Sequence, residues 1–362
     1  MKIKNYILKF KKEKLVNYKI NKKNLKKSIK KINLGIELLR MILSFLIVLV
    51  HFYGNKKSKF YFFLFQNLSY YVPCFFFISF YFSYKIFTSR NIEKIKERYT
   101  RILIPYMGWP ILFWIKNNYL YYIYEIKENI LIKNIYYQIL VGCGIHGIFW
   151  FLFNLLFIST LFVIIIFLFN RNFIYILFLI TILSYIFIYS NYGIFFFNSY
   201  QFYPVNHSIS PIPKMILYSF TGFFLSSINI KKTLYKYRIV ILFLSGIFLF
   251  IIIYKNFHNK VIFFFKGIIL DLGILNIFLF FVMIPFDKIN NNIIFSILKQ
   301  ITSYTGGIYY LHPNVFHMFE KNLISIKQRT FKGCLLIFLF SYIICMINSK
   351  IFRKSKIKYL FN

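Results

Sequence analysis

Apolar stretches near the roughly 20-residue length that crosses a bilayer core recur along this chain, each closed by polar or basic residues. They cover residues 34–53, 67–84, 102–116, 148–169, 173–190, 213–228, 239–254, 262–285, 303–319 and 333–351. Leu, Ile, Val and Phe continue through whole segments without the alternation of a half-buried strand, so each reads as a helix. The pattern predicts an all-α, polytopic transmembrane bundle of about ten spans. No tandem repeat and no second domain stand out. The expected layout is a basic arm over residues 1–33, a membrane domain over 34–352 and a basic tail over 353–362.

Composition supports this. The 362 residues are 59% hydrophobic with a mean hydropathy of +0.61, beyond the range of ordinary soluble domains. Charge then orients the bundle. Residues 1–33 hold thirteen Lys and one Glu, with no apolar core and cleavage site of a signal peptide. Under the positive-inside rule this arm stays cytoplasmic, and ten spans return the C-terminus to the same side. The basic stretches 85–101 and 231–238 also fall inside; 321–333 is the exception. The net charge of +37 would suggest nucleic acid in a soluble protein. Here the cations sit at segment ends and the chain lacks Ala altogether, so no nucleic-acid partner is expected. Cys74, Cys143, Cys334 and Cys345 are dispersed and read as packing residues. Neither a metal nor a permanently bound cofactor is expected.

Against this apolar background the ionisable residues inside spans stand out, because each costs a few kcal/mol or more in a bilayer core. Arg40 and His51 lie eleven residues apart in "GIELLRMILSFLIVLVHF". That separation is close to three helical turns, so they share one face about 16 Å apart along the axis. Two readings stay open. In one, Arg40 pairs with Glu37 and snorkels while His51 closes the outer end. In the other, the face lines a cavity, with Arg40 contacting an anion and His51 serving as a base.

Arg98 and Arg101 are at i and i+3 before Pro105, either a basic flank of a span or a clamp for phosphate. In "GCGIHGIFWFLFNLLF" (142–157), His146 and Trp150 lie one turn apart and suit an interfacial belt or a substrate lining. In "SYTGGIYYLHPNVFHMF" (303–319), His312 falls mid-span before Pro313, next to Tyr310. A proline there frees a carbonyl and bends the helix. Lys266 and Asp271, both in the eighth segment, read as a structural buried pair.

Taken in chain order, these stretches resemble acyltransferase family 3, integral membrane proteins that O-acetylate sugars of cell-envelope glycans. "ELLRMILSFLIVLVH" resembles the family's Arg–His first-span signature. "FFFISFYFSYKIF" (75–87) resembles its Phe-rich second span, with Phe80 where Gly is usual. "ERYTRILIPY", "HGIFWFLFNLL", "FTGFFL" (220–225) and "YTGGIYYLHPNV" resemble later signatures. One departure is Asn154, where some branches carry Glu.

The resemblance implies an acyl-CoA donor, usually acetyl-CoA, on the cytoplasmic side and a sugar hydroxyl acceptor toward the outer face. It implies His51, Arg40 and His312 as catalytic candidates and Arg98 and Arg101 as ligands for the CoA phosphates. His146, Trp150 and Tyr310 become substrate-lining candidates. The expected partners are acyl-CoA, an envelope glycan and the lipid bilayer, with oligomeric state left open. A transporter or flippase for an anionic or lipid-linked glycan is the alternative, since it too needs intramembrane cations.

Overall fold

A computed structural model describes residues 34–52, 68–124, 137, 139–140, 142, 149–189, 211–228, 233–257, 263–284, 292–322 and 331–361. The arm 1–33 lies outside the described residues. Among those described, the chain is all-helical. The α-helices are α1 (Leu34–Phe52), α2 (Leu68–Thr88), α3 (Ile92–Tyr124), α4 (Trp150–Phe169), α5 (Phe173–Tyr189), α6 (Ile212–Ser227), α7 (Arg238–Phe257), α8 (Phe263–Met283), α9 (Asn292–Ser303), α10 (Thr305–Asn322) and α11 (Phe331–Ile351). A helix lies on each of the ten apolar segments. Three described stretches are long and apolar enough to cross a membrane: Leu34–Phe52, Trp150–Ile188 and Phe331–Ile351.

Two places differ from the simple segment pattern. The third segment is the middle of a 33-residue helix that begins at Ile92, so the helix that carries Arg98 and Arg101 starts ten residues before the predicted span. Pro105 and Pro110 also fall inside this helix. The ninth segment is preceded by a separate amphipathic helix, α9, with a break at Tyr304.

The basic stretch 85–101 is a tight helical hairpin. Arg90 takes a left-handed backbone (φ 50°), and the Asn91 Oδ1 accepts from the Lys94 amide at 3.0 Å. That is an N-cap bond to the third residue of α3, satisfying a donor with no partner inside the helix. Arg90 Nη2 donates to the Ile166 carbonyl at 2.7 Å, and its guanidinium lies over the Phe167 ring. The C-terminal turn of a helix has unpaired carbonyls and a negative dipole end, which a cation satisfies. This bond brings the end of α4 to the α2–α3 hairpin.

Phenylalanine fills the middle of the bundle. Phe76, Phe77, Phe80, Phe162, Phe223 and Phe278 are all at most 1% exposed, and edge-to-face contacts such as Phe162–Phe223 join their helices. Aromatic pairs in this geometry add about 0.5–1.5 kcal/mol beyond area burial. One close helix crossing needs a glycine. A Cβ on Gly222 of α6 would lie 2.2 Å from the Phe77 carbonyl oxygen of α2.

The segment after α11 turns back into the bundle. Lys356–Leu360 form a 3₁₀ turn, opened by Ser355 Oγ accepting from the Ile357 amide at 3.1 Å. Leu360 and Phe361 are buried. Trp109 Nε1 of α3 donates to the Leu360 carbonyl at 3.0 Å. A Cβ on Gly307 would sit 2.5 Å from the Phe361 carbonyl oxygen, which explains glycine at that point of α10. Residues read from sequence as a basic tail thus carry two core side chains at their end.

Candidate functional site

Helices α1 and α10 run parallel and are joined at two levels. At the first, Arg40 Nη1 donates to Glu37 Oε2 at 3.2 Å and Nη2 donates to Thr305 Oγ1 at 3.1 Å. The local pair with Glu37 is therefore real, and so is a bond across the bundle to the first residue of α10. Two partners hold the guanidinium in a fixed plane, half-buried between the helices. Thr305 hydroxyl in turn donates to the Thr302 carbonyl at 3.1 Å.

At the second level, the rings of His51 and His312 are 5.5 Å apart. His312 is fully buried, whereas His51 is exposed. Phe52 lies edge-on to His312 at 5.3 Å and stacks on Phe316 at 4.3 Å, closing one flank. Tyr309 also lies against His312, at 6.1 Å. His312 Nδ1 lies 3.1 Å from the Ile308 carbonyl oxygen. A carbonyl only accepts, so Nδ1 carries a hydrogen and donates to it. The pair thus combines an accessible imidazole with a buried one held by its own helix.

The other predicted residues fall at different places. Arg98 and Arg101 share a helix but turn to different partners. Arg98 Nη2 donates to Ser79 Oγ at 3.0 Å, and its guanidinium lies over Phe87 and Phe80 at 5.3 and 5.9 Å. Arg101 is exposed, paired with Glu97 and set over the Tyr359 ring at 5.6 Å. Tyr310 is buried and stacks on Phe149 at 6.0 Å, beside Trp150 at the start of α4. It is the neighbouring Tyr309 that reaches His312. His146 lies outside the described residues, as do the side chains of Lys266 and Asp271.

Three contributors escaped the sequence reading. Thr305 holds Arg40, Ser79 holds Arg98, and Lys116 Nζ donates to Asn314 Oδ1 at 2.7 Å, two residues past His312. Only Lys116, a lone cation at the end of a predicted span, carried a visible signal. Thr and Ser in apolar helices are too common to single out. Asn154 is fully buried, and neither its Oδ1 nor its Nδ2 has a hydrogen-bond partner among the described residues.

A family model described as an acyltransferase domain matches residues 33–349, nearly the whole chain. The chain belongs to acyltransferase family 3. No curated protein and no solved structure matches it. Membership of this membrane-protein family, together with the apolar helices, places the chain in a membrane and assigns it to acyl transfer. Chemically, the arrangement offers imidazoles, groups able to take a proton, at one level and a fixed cation able to bind an anion at another.

Proposed function

We propose that this acyltransferase moves an acetyl group from acetyl-CoA to a sugar hydroxyl of a cell-surface polysaccharide or its lipid-linked precursor. The observation that carries the proposal is the approach of His51 to His312, 5.5 Å apart, on two helices that Arg40 and Thr305 clamp one level away. His51 is the accessible base. As the sugar oxygen attacks the thioester carbonyl, His51 takes its proton. The C–S bond then breaks, the carbonyl reforms, and the proton passes to the departing CoA sulfur. His312 packs against His51, and Arg40, about 16 Å away along the same helix, holds an anionic part of the donor away from the reacting carbonyl. Transfer through an acyl-enzyme uses the same groups in two steps.

A ten-span topology with both termini cytoplasmic belongs to this proposal. Its support is the set of helix ends that meet on one side. The N-terminal part of α1 meets that of α10 through Arg40, and the end of α4 meets the α2–α3 hairpin through Arg90. The segment after α11 meets α3 and α10 through Leu360 and Phe361. Those six ends fall together when each predicted span reverses direction. Acetyl-CoA would enter at this end, and the glycan would reach His51 from the other.

The test uses membranes containing the protein, labelled acetyl-CoA and the host's envelope glycan fraction. Alkali-labile label should appear on glycan and fall by about 10²-fold or more in His51→Ala, the scale of a lost general base, and in Arg40→Ala at matched protein levels. Persistence of the label in both variants would remove these residues from the chemistry. No label at all, from folded protein and the authentic glycan, would favour the transporter.

A further inference from the structure

We infer that the segment after α11 forms one wall of the donor site, with Lys358 acting beside Arg101 as a ligand for the donor's phosphates. The inference rests on the acyl-CoA reading above and extends it to residues outside the family match, which ends at residue 349.

Two cations converge on one ring. The Arg101 guanidinium is 5.6 Å from the centre of Tyr359 and the Lys358 ammonium 5.2 Å from it, so they lie within about 11 Å of each other. Glu97 pairs with Arg101, but among the described residues no carboxylate pairs with Lys358. Residues 353–362 contain Arg353, Lys354, Lys356 and Lys358 and no acid. A phosphate accepts from both an ammonium and a guanidinium, so a ligand that carries more than one phosphate can engage two cations set around one ring.

The turn that carries Lys358 is also fixed in place. Ser355 starts the turn, the Leu360 carbonyl is held by Trp109, and Phe361 stacks on Phe352 at 6.2 Å. From this surface the segment runs inward. Phe361 lies against Gly307, two residues from the Thr305 that binds Arg40. A nucleotide held by Arg101 and Lys358 would therefore sit at one end of a segment whose other end packs two residues from the Thr305 that binds Arg40. A CoA thioester has that layout, with phosphates at one end and its reactive group at the end of a pantetheine arm.

The experiment measures binding of adenosine 3′,5′-bisphosphate to the purified full chain in neutral detergent, and acetyl transfer from acetyl-CoA and from acetyl-pantetheine. Lys358→Glu should weaken nucleotide binding about tenfold or more and raise KM for acetyl-CoA by a similar factor, with kcat unchanged. Its KM for acetyl-pantetheine, which has no phosphate, should stay as in wild type. Lys358→Arg should restore binding. Lys236→Glu removes a lysine similarly placed over Tyr237 and should leave every value unchanged. Matching thermal melts would show that the variants fold.

Nucleotide binding within twofold of wild type in Lys358→Glu would overturn the assignment while leaving the acyl-CoA reading intact. So would loss of binding to vesicles of anionic lipid with nucleotide binding retained, which would give these cations to headgroups instead. Failure of folded wild type to bind the nucleotide would overturn both.

Discussion

Gly222 gives the sharpest test of how the bundle is packed. A Cβ at this position of α6 would lie 2.2 Å from the Phe77 carbonyl oxygen, 2.9 Å from its carbonyl carbon and 3.1 Å from its Cα. All three are backbone atoms inside α2, so no side chain can swing aside. Ordinary contact begins near 3.4 Å, and Gly222→Ala must therefore push α6 and α2 apart by about 1.2 Å. A gap of 0.5–1 Å already forfeits a quarter to a half of each dispersion well, and this seam holds Phe77 and Phe223. Overpacking of this kind costs about 1–3 kcal/mol; with rigid backbone on both sides the upper end applies. Alanine returns about 1 kcal/mol of helix propensity, leaving a net loss of about 2 kcal/mol. Gly246→Ala provides the control, because nothing lies within 4 Å of a Cβ there; it should gain about 1 kcal/mol. Melting of the two variants in the same mild detergent should differ by about 4 °C. If Gly222→Ala melts at or above Gly246→Ala, the close crossing of α2 and α6 is wrong.

Two further outcomes follow from the polar groups. Thr305→Val removes the hydroxyl that accepts from Arg40 and should cost about 1.5–3 kcal/mol, the worth of a hydrogen bond to a charged group. Combined with Arg40→Ala in a double-mutant cycle, the two should couple by more than about 0.5 kcal/mol; strict additivity would show that the bond carries no energy. Asn154→Leu removes an amide with no hydrogen-bond partner among the described residues and should raise the melting temperature, by about 1 kcal/mol of stability. A lower melting temperature would show that the amide has a partner in the membrane.

What could be read from the sequence was whatever depends on period and span length. Each apolar segment carries a helix, and the eleven-residue spacing of Arg40 and His51 does put them on one face, both toward α10. The meeting of His51 with His312 was not derivable from spacing. It depends on packing between helices more than 250 residues apart in the chain, and only the family resemblance joined those segments beforehand. Arg98 and Arg101 show the opposite limit. Their i, i+3 spacing places them on one helix face, but a three-residue step still turns a side chain by about 60°. That is enough for Arg98 to reach Ser79 while Arg101 reaches Tyr359. The inward turn of Leu360 and Phe361 was hidden by the lysines around them, which read as a solvated end. Its trace was in a different part of the sequence, at Gly307, where a backbone carbonyl comes too close for any side chain.

The two partners of Arg40 differ in when they become available. Glu37 is three residues away, so this pair exists as soon as the first helix forms and offsets the arginine's charge while that helix enters the bilayer. Thr305 is 265 residues further on and arrives only near the end of synthesis. Glu37 thus works as a chaperone built into the chain, keeping an expensive cation tolerable until the helix it serves is made. The carboxylate engages only Nη1 of the guanidinium, and the late helix supplies a hydroxyl for Nη2.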